Sequence, residues 1–158
     1  MKTQGENKII IAKDKKQTVF LGGTCAESKW REKLILKLEI DYFNPVVEDW
    51  TEECMAEEIE QRKNCDYVLY VITPNMEGVY SIAEVIDDSN KRPEKTVFCF
   101  LKKDKKGEEF GLSYDIVDKE FTQGQLKSLK QVEKMVKENG ATVCKNLNEV
   151  AKYLNRNK

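Results

Sequence analysis

Between Asp66 and Pro74 the chain runs Tyr67-Val68-Leu69-Tyr70-Val71-Ile72, a near-continuous apolar stretch of strand length. A strand with one wet face alternates apolar and polar side chains. An unbroken run therefore belongs to a strand covered on both faces, as in the centre of a parallel sheet with helices above and below. The flanking sequence supplies such helices. Short β-branched runs alternate with longer segments of helical period: Thr18 to Leu21, Asp41 to Phe43, Thr96 to Leu101 and Ala141 to Cys144 read as further strands. Between them, Trp30, Leu34 and Leu38 form one apolar helical stripe, Glu52 to Lys63 an acidic helix, and Ser81 to Asn90 a third. Leu126, Leu129, Val132 and Val136 mark a fourth helix, and Leu147, Val150, Ala151 and Leu154 a fifth. The pattern predicts an α/β three-layer sandwich on a mainly parallel five-stranded sheet.

At 158 residues the chain is one domain, able to bury its core without disulfide or metal staples. Residues 1–17 read as an N-terminal extension, in which Lys8 to Ala12 forms an edge strand. The charged residues 102–122 read as a long loop or lid. Twenty-seven basic residues against 28 acidic ones leave a net charge of −1 with no long block of either sign, which argues against nucleic-acid polymers and anionic membranes as partners. A small-molecule ligand is expected. Five cysteines without a CxxC pair, no secretory leader and no apolar run near 20 residues point to a reducing cytoplasm.

The chain has no histidine, so any acid, base or nucleophile must be a carboxylate, Cys, Lys, Tyr or Ser. In open parallel sheets ligands sit beyond the carboxyl ends of the strands. Three loops converge there: Gly22-Gly23-Thr24, Asn44 to Trp50, and Thr73 to Ser81. Glycines allow close backbone approach, and helix N-terminal amides favour anions such as phosphate. A third glycine of the dinucleotide fingerprint and the Lys-Ser/Thr of a P-loop are both missing. Ser81 and Glu84 have the spacing of a capping box, a purely structural device. Yet Glu84 also falls in the first turn after the central loop, where its carboxylate can face the cleft.

Phe20-Leu21-Gly22-Gly23-Thr24, Trp30-Arg31, Phe43-Asn44-Pro45, Asp49-Trp50, Cys65-Asp66 and Met76-Glu77-Gly78-Val79-Tyr80-Ser81-Ile82-Ala83-Glu84 together resemble the nucleoside 2-deoxyribosyltransferase-like family over residues 18–100. The resemblance implies a flavodoxin-like, broadly Rossmann-like fold. It also implies cleavage of the N-glycosidic bond of a nucleoside or nucleotide, with the sugar passed to another base or to water, and no cofactor or metal. The family nucleophile falls on Glu84, and an assisting acid, counted back from Asp66, on Glu58; Glu57 is equally placed to face inward, and either can be one more solvated Glu of an acidic run. Gly22, Gly23, Thr24, Arg31, Asn44, Asp49, Trp50, Met76, Gly78 and Ser81 are the substrate-binding candidates. Several have ordinary alternatives: Arg31 as a surface charge, Asn44 and Asp49 as turn and cap residues, Trp50 as a packing residue. Tyr80 departs from the family pattern, being bulky where small residues are common. Such proteins often complete their sites with a neighbouring subunit, so a homo-oligomer is expected. Two other readings stand beside the transferase: a glycohydrolase of a nicotinamide dinucleotide, and a non-catalytic module that binds or sequesters a nucleotide.

Overall fold

The computed structural model describes residues 15–106 and 117–158; the N-terminal edge strand expected at Lys8 to Ala12 and the middle of the expected lid, residues 107–116, lie outside them. Five strands, β1 (Thr18–Gly23), β2 (Asp41–Phe43), β3 (Tyr67–Ile72), β4 (Thr96–Phe100) and β7 (Thr142–Cys144), form one sheet in the order β2-β1-β3-β4-β7. Every pairing in it is parallel. The helices are α1 (Trp30–Ile35), α2 (Glu52–Asn64), α3 (Tyr80–Lys91), α4 (Gln123–Glu138) and α5 (Leu147–Leu154). This is the three-layer, flavodoxin-like arrangement expected from the sequence.

The central strand shows why the apolar run is unbroken. All six residues of β3 are buried, and they divide by parity between two cores. Tyr67, Leu69 and Val71 join Trp30, Leu34, Val150 and Leu154 on the α1/α5 face. Val68, Tyr70 and Ile72 join Val85, Leu129 and Val136 on the α3/α4 face. A strand with period-two geometry facing two apolar layers has no position left for a polar side chain. Cys99 and Cys144, partners across β4 and β7, are buried free thiols that pack as small hydrophobes. Asp66 has a structural role at the sheet's lower edge, its carboxylate accepting from the Thr18 amide at 2.8 Å.

Residues 102–122 are not simply a loop. Their described ends pair as an antiparallel ribbon, β5 (Lys103–Lys106) with β6 (Val117–Glu120). The alternating charges of Lys103-Asp104-Lys105-Lys106 hid it, because its two strands lie apart from the main sheet and cover no continuous apolar face. Among the described residues no helix is long and apolar enough to cross a membrane.

Candidate active site

The chain leaves β1 for β2 on one side of the sheet and returns to β3 on the other, so the strand order reverses between β1 and β3. That reversal opens a crevice at the carboxyl ends of the two strands. A cavity of about 270 Å³ occupies it, with Gly23 and Thr24 on one side and Met76, Gly78 and Ser81 on the other. Five of the sequence candidates thus share one wall. Tyr80 also lines the cavity and is 65% exposed, so its bulk lies at the surface.

The glycines serve the sheet before they serve a ligand. A Cβ on Gly22 would lie 2.7 Å from the Tyr70 ring, and one on Gly23, at φ +122°, would lie 2.0 Å from the Val71 carbonyl oxygen. Gly22 is absent from the cavity wall; Gly23 both turns the chain and lines it. Thr24 then locks the two loops together, its amide donating to Val71 O and its hydroxyl accepting from the Thr73 amide, each at 2.9 Å. Arg31 is not a surface charge. Buried at 4% exposure, it donates to the carbonyls of Leu21, Gly23 and Thr24 at 3.0, 3.3 and 2.7 Å, so its guanidinium holds the β1 loop from behind.

Asn44 and Asp49 stand exposed, outside the cavity wall; the Asn44 carboxamide accepts from the Val46 amide at 3.2 Å in a local turn. Trp50 is 56% exposed, so packing is not its role, and its indole lies beside Glu58. Thr51 caps α2 by accepting from the Cys54 amide.

The expected capping box does not form. Helix α3 begins at Tyr80 with Val79 at its N-cap and no side-chain cap bond, which puts Ser81 and Glu84 inside the helix. The Glu84 carboxylate is therefore not tied to the helix end. It is nine-tenths buried and lies 3.5 Å from the Arg62 guanidinium. Burial pushes its pKa up to about 7; Arg62 pulls the other way, while Glu58 and Asp88 add to the rise. Glu58 is half-buried where Glu57 is exposed, and burial raises its pKa too. Of the two sequence candidates, Glu58 is the one that faces inward and senses Glu84.

Arg62, Asp88 and Tyr70 surround Glu84 and were not among the residues singled out from the sequence. Asp88 is fully buried and accepts from Arg62 Nε at 2.9 Å, from Arg62 Nη2 at 3.0 Å, from the Tyr70 hydroxyl and from Arg92. Burial works against the Arg62 charge, but these bonds more than offset it and its pKa is raised; burial also pushes the Tyr70 hydroxyl up, keeping it a donor. The signal was the helical period. Ser81, Glu84 and Asp88 recur on one face of α3, and acids on a buried face demand a cation.

The family model for nucleoside 2-deoxyribosyltransferase-like proteins matches residues 16–103, more than half of the chain. The chain belongs to the nucleoside 2-deoxyribosyltransferase-like family. The match contains both strands of the crevice, the whole cavity wall and the Glu58, Arg62, Glu84 and Asp88 cluster. It ends at Lys103, before most of the ribbon and the last two helices. No curated protein matches the chain.

Proposed function

We propose that this member of the family cleaves the N-glycosidic bond of a nucleoside or nucleotide, with Glu84 as nucleophile and Glu58 as the assisting acid. Glu84 attacks the anomeric carbon from the face opposite the base. The carbon–nitrogen bond breaks with its electron pair leaving on the base, which takes the Glu58 proton. A glycosyl ester on Glu84 remains. An incoming base or water, deprotonated by Glu58, attacks the same carbon and releases Glu84 as a carboxylate.

The observation that carries this reading is Glu84 itself: a buried carboxyl, unused by the helix cap, with a pKa near 7 and a guanidinium at 3.5 Å. A carboxylate kept from water and held by one cation is an available nucleophile near neutral pH. Ser81, which lines the cavity, lies one turn before Glu84 on the same face of α3. A cavity of about 270 Å³ suits a nucleoside or mononucleotide better than a nicotinamide dinucleotide. A pinned, capping Glu84 would have favoured the binding-module reading, and that cap is absent.

The homo-oligomer reading draws on exposed apolar side chains near the same end of the sheet. Trp50, Met55, Ile59, Val79 and Tyr80 are each at least 38% exposed, and on α2 the one buried side chain is Arg62. Cytoplasmic residence fits the unpaired thiols.

Base release and base exchange from a panel of nucleosides and nucleoside monophosphates, followed by chromatography, test the proposal. Turnover by the wild type and its loss in Glu84→Ala are expected, and dependence on an added acceptor base separates transfer from hydrolysis. Binding without turnover across the panel would overturn it in favour of the non-catalytic module.

A further inference from the structure

A second and larger cleft, about 830 Å³, lies at the other half of the sheet's carboxyl edge, between the ends of β4 and β7 and the β5–β6 ribbon. Its floor is apolar, built from Phe100, Leu101, Cys144 and Leu147. Its rim is cationic. Lys33, Lys102, Lys105, Lys130 and Lys145 are exposed around it, and among the described residues none has a carboxylate partner; Lys103 alone is paired, with Glu120 at 2.8 Å. Three acids also line the cleft. Asp104, however, is 7% exposed and spent inward, accepting from the Ser28 hydroxyl and the Lys105 amide, which leaves Asp118 and Glu133 against the five unpaired lysines. In a chain of net charge −1, so local an excess of positive charge is a property of this cleft and not of the composition.

The cleft is also held open. The Ser28–Asp104 bond and the Asn75 carboxamide, donating to the Lys105 carbonyl at 3.0 Å, tie the ribbon to the β1 and β3 loops, so its wall stands without a ligand. The nearby N-terminus of α5 is already satisfied: Asn146 accepts from the Glu149 amide, and the Glu149 carboxylate accepts from the Lys145 amide. An anion would therefore be met by ammonium groups. Lysines are point-charge partners of phosphate, and the volume is that of a small-molecule site with an apolar floor.

We propose that this cleft is a second ligand site, separate from the β1/β3 crevice, that takes a small phosphorylated molecule with an apolar or aromatic portion. The inference is independent of the glycosidic reading. Three of the six lysines, Lys105, Lys130 and Lys145, lie beyond the family match.

Amide NMR spectra of the full chain, titrated with inorganic pyrophosphate, ATP, adenosine and a single-stranded RNA oligomer, test it. Pyrophosphate and ATP are expected to shift the amides of Lys102, Lys145 and Asn146, ATP binding more tightly and adenosine weakly. The double variant Lys102→Glu, Lys145→Glu should weaken pyrophosphate binding about tenfold or more, while the pair Lys63→Glu, Lys152→Glu, outside the cleft lining, weakens it far less. All four lysines are exposed, so folding is preserved. ATP shifts at Gly23 and Met76 that persist in the Lys102/Lys145 variant would report the other crevice and are read apart. Shifts confined to that crevice, equal weakening by both charge-reversed pairs, or tight binding of RNA alone would overturn the proposal.

Discussion

Burial sets the direction in which Glu84 is shifted, and Arg62 and Asp88, 26 positions apart in sequence, act on it from opposite sides. Neither residue type stands out in a chain that is 35% charged, so only the helical period of α3 points to Asp88, whereas a motif singles out Glu84 as a candidate. Burial of Glu84 has a sign that can be measured. Its folded pKa, about 7, lies above its ordinary value of 4.5, so the folded state holds this proton more tightly than the unfolded chain does. The resulting stability is full below about pH 4.5, declines from there and is lost above about 7. Glu84→Gln removes the penalty of burying the charge. Its melting temperature relative to wild type should therefore rise between pH 5 and pH 8, by an increment on the order of 3 kcal/mol or less in unfolding free energy. A difference that stays flat or falls with pH would contradict the buried, weakly acidic Glu84. If Glu84 is the nucleophile, kcat/KM should drop as pH falls through about 7, because the attacking form is the ionised one.

At the scale of elements, the convergence of the loops after β1 and β3 on one crevice was legible, but the work of their glycines was not. Gly22, Gly23 and Gly78 look alike in sequence; in the fold, two pack against β3 and one faces open space. Gly23→Ala puts a Cβ into the Val71 carbonyl at a positive φ, and should cost about 3 kcal/mol or more in urea unfolding. Gly78→Ala meets nothing within 4 Å and should stay within about 0.5 kcal/mol. Similar losses at both positions would mean that the β1–β3 packing is misread. The start of α3 carries a parallel lesson. Ser81 and Glu84 satisfy the capping-box spacing, but the N-cap is Val79, two residues earlier, and that shift leaves Ser81 half-buried in the first turn and the Glu84 side chain buried. The β5–β6 ribbon was missed because its alternating charges match no apolar template, and its anchors, Ser28 and Asn75, lie 76 and 30 positions away.

The molecule as a whole was the most readable level, since one apolar strand forces two helical layers and the order of strands and helices does the rest. Its thiols add a check on the layering. Burial pushes Cys99 up to about 12 and Cys144 to about 11, while Cys25 is exposed in the cavity wall. A thiol reagent at pH 8 should label Cys25 rapidly and leave Cys99 and Cys144 unlabelled until the protein unfolds; early labelling of either buried thiol would contradict the packing of β4 and β7. What ties fold to function is the claim that the crevice between β1 and β3 delivers a sugar to Glu84. Intact-protein and peptide mass spectrometry after an acid quench from a nucleoside or nucleotide substrate measures that claim directly. The account predicts a mass increase of one pentosyl residue on the peptide containing Glu84, absent from Glu84→Ala together with base release. Base release that continues undiminished in Glu84→Ala would contradict it.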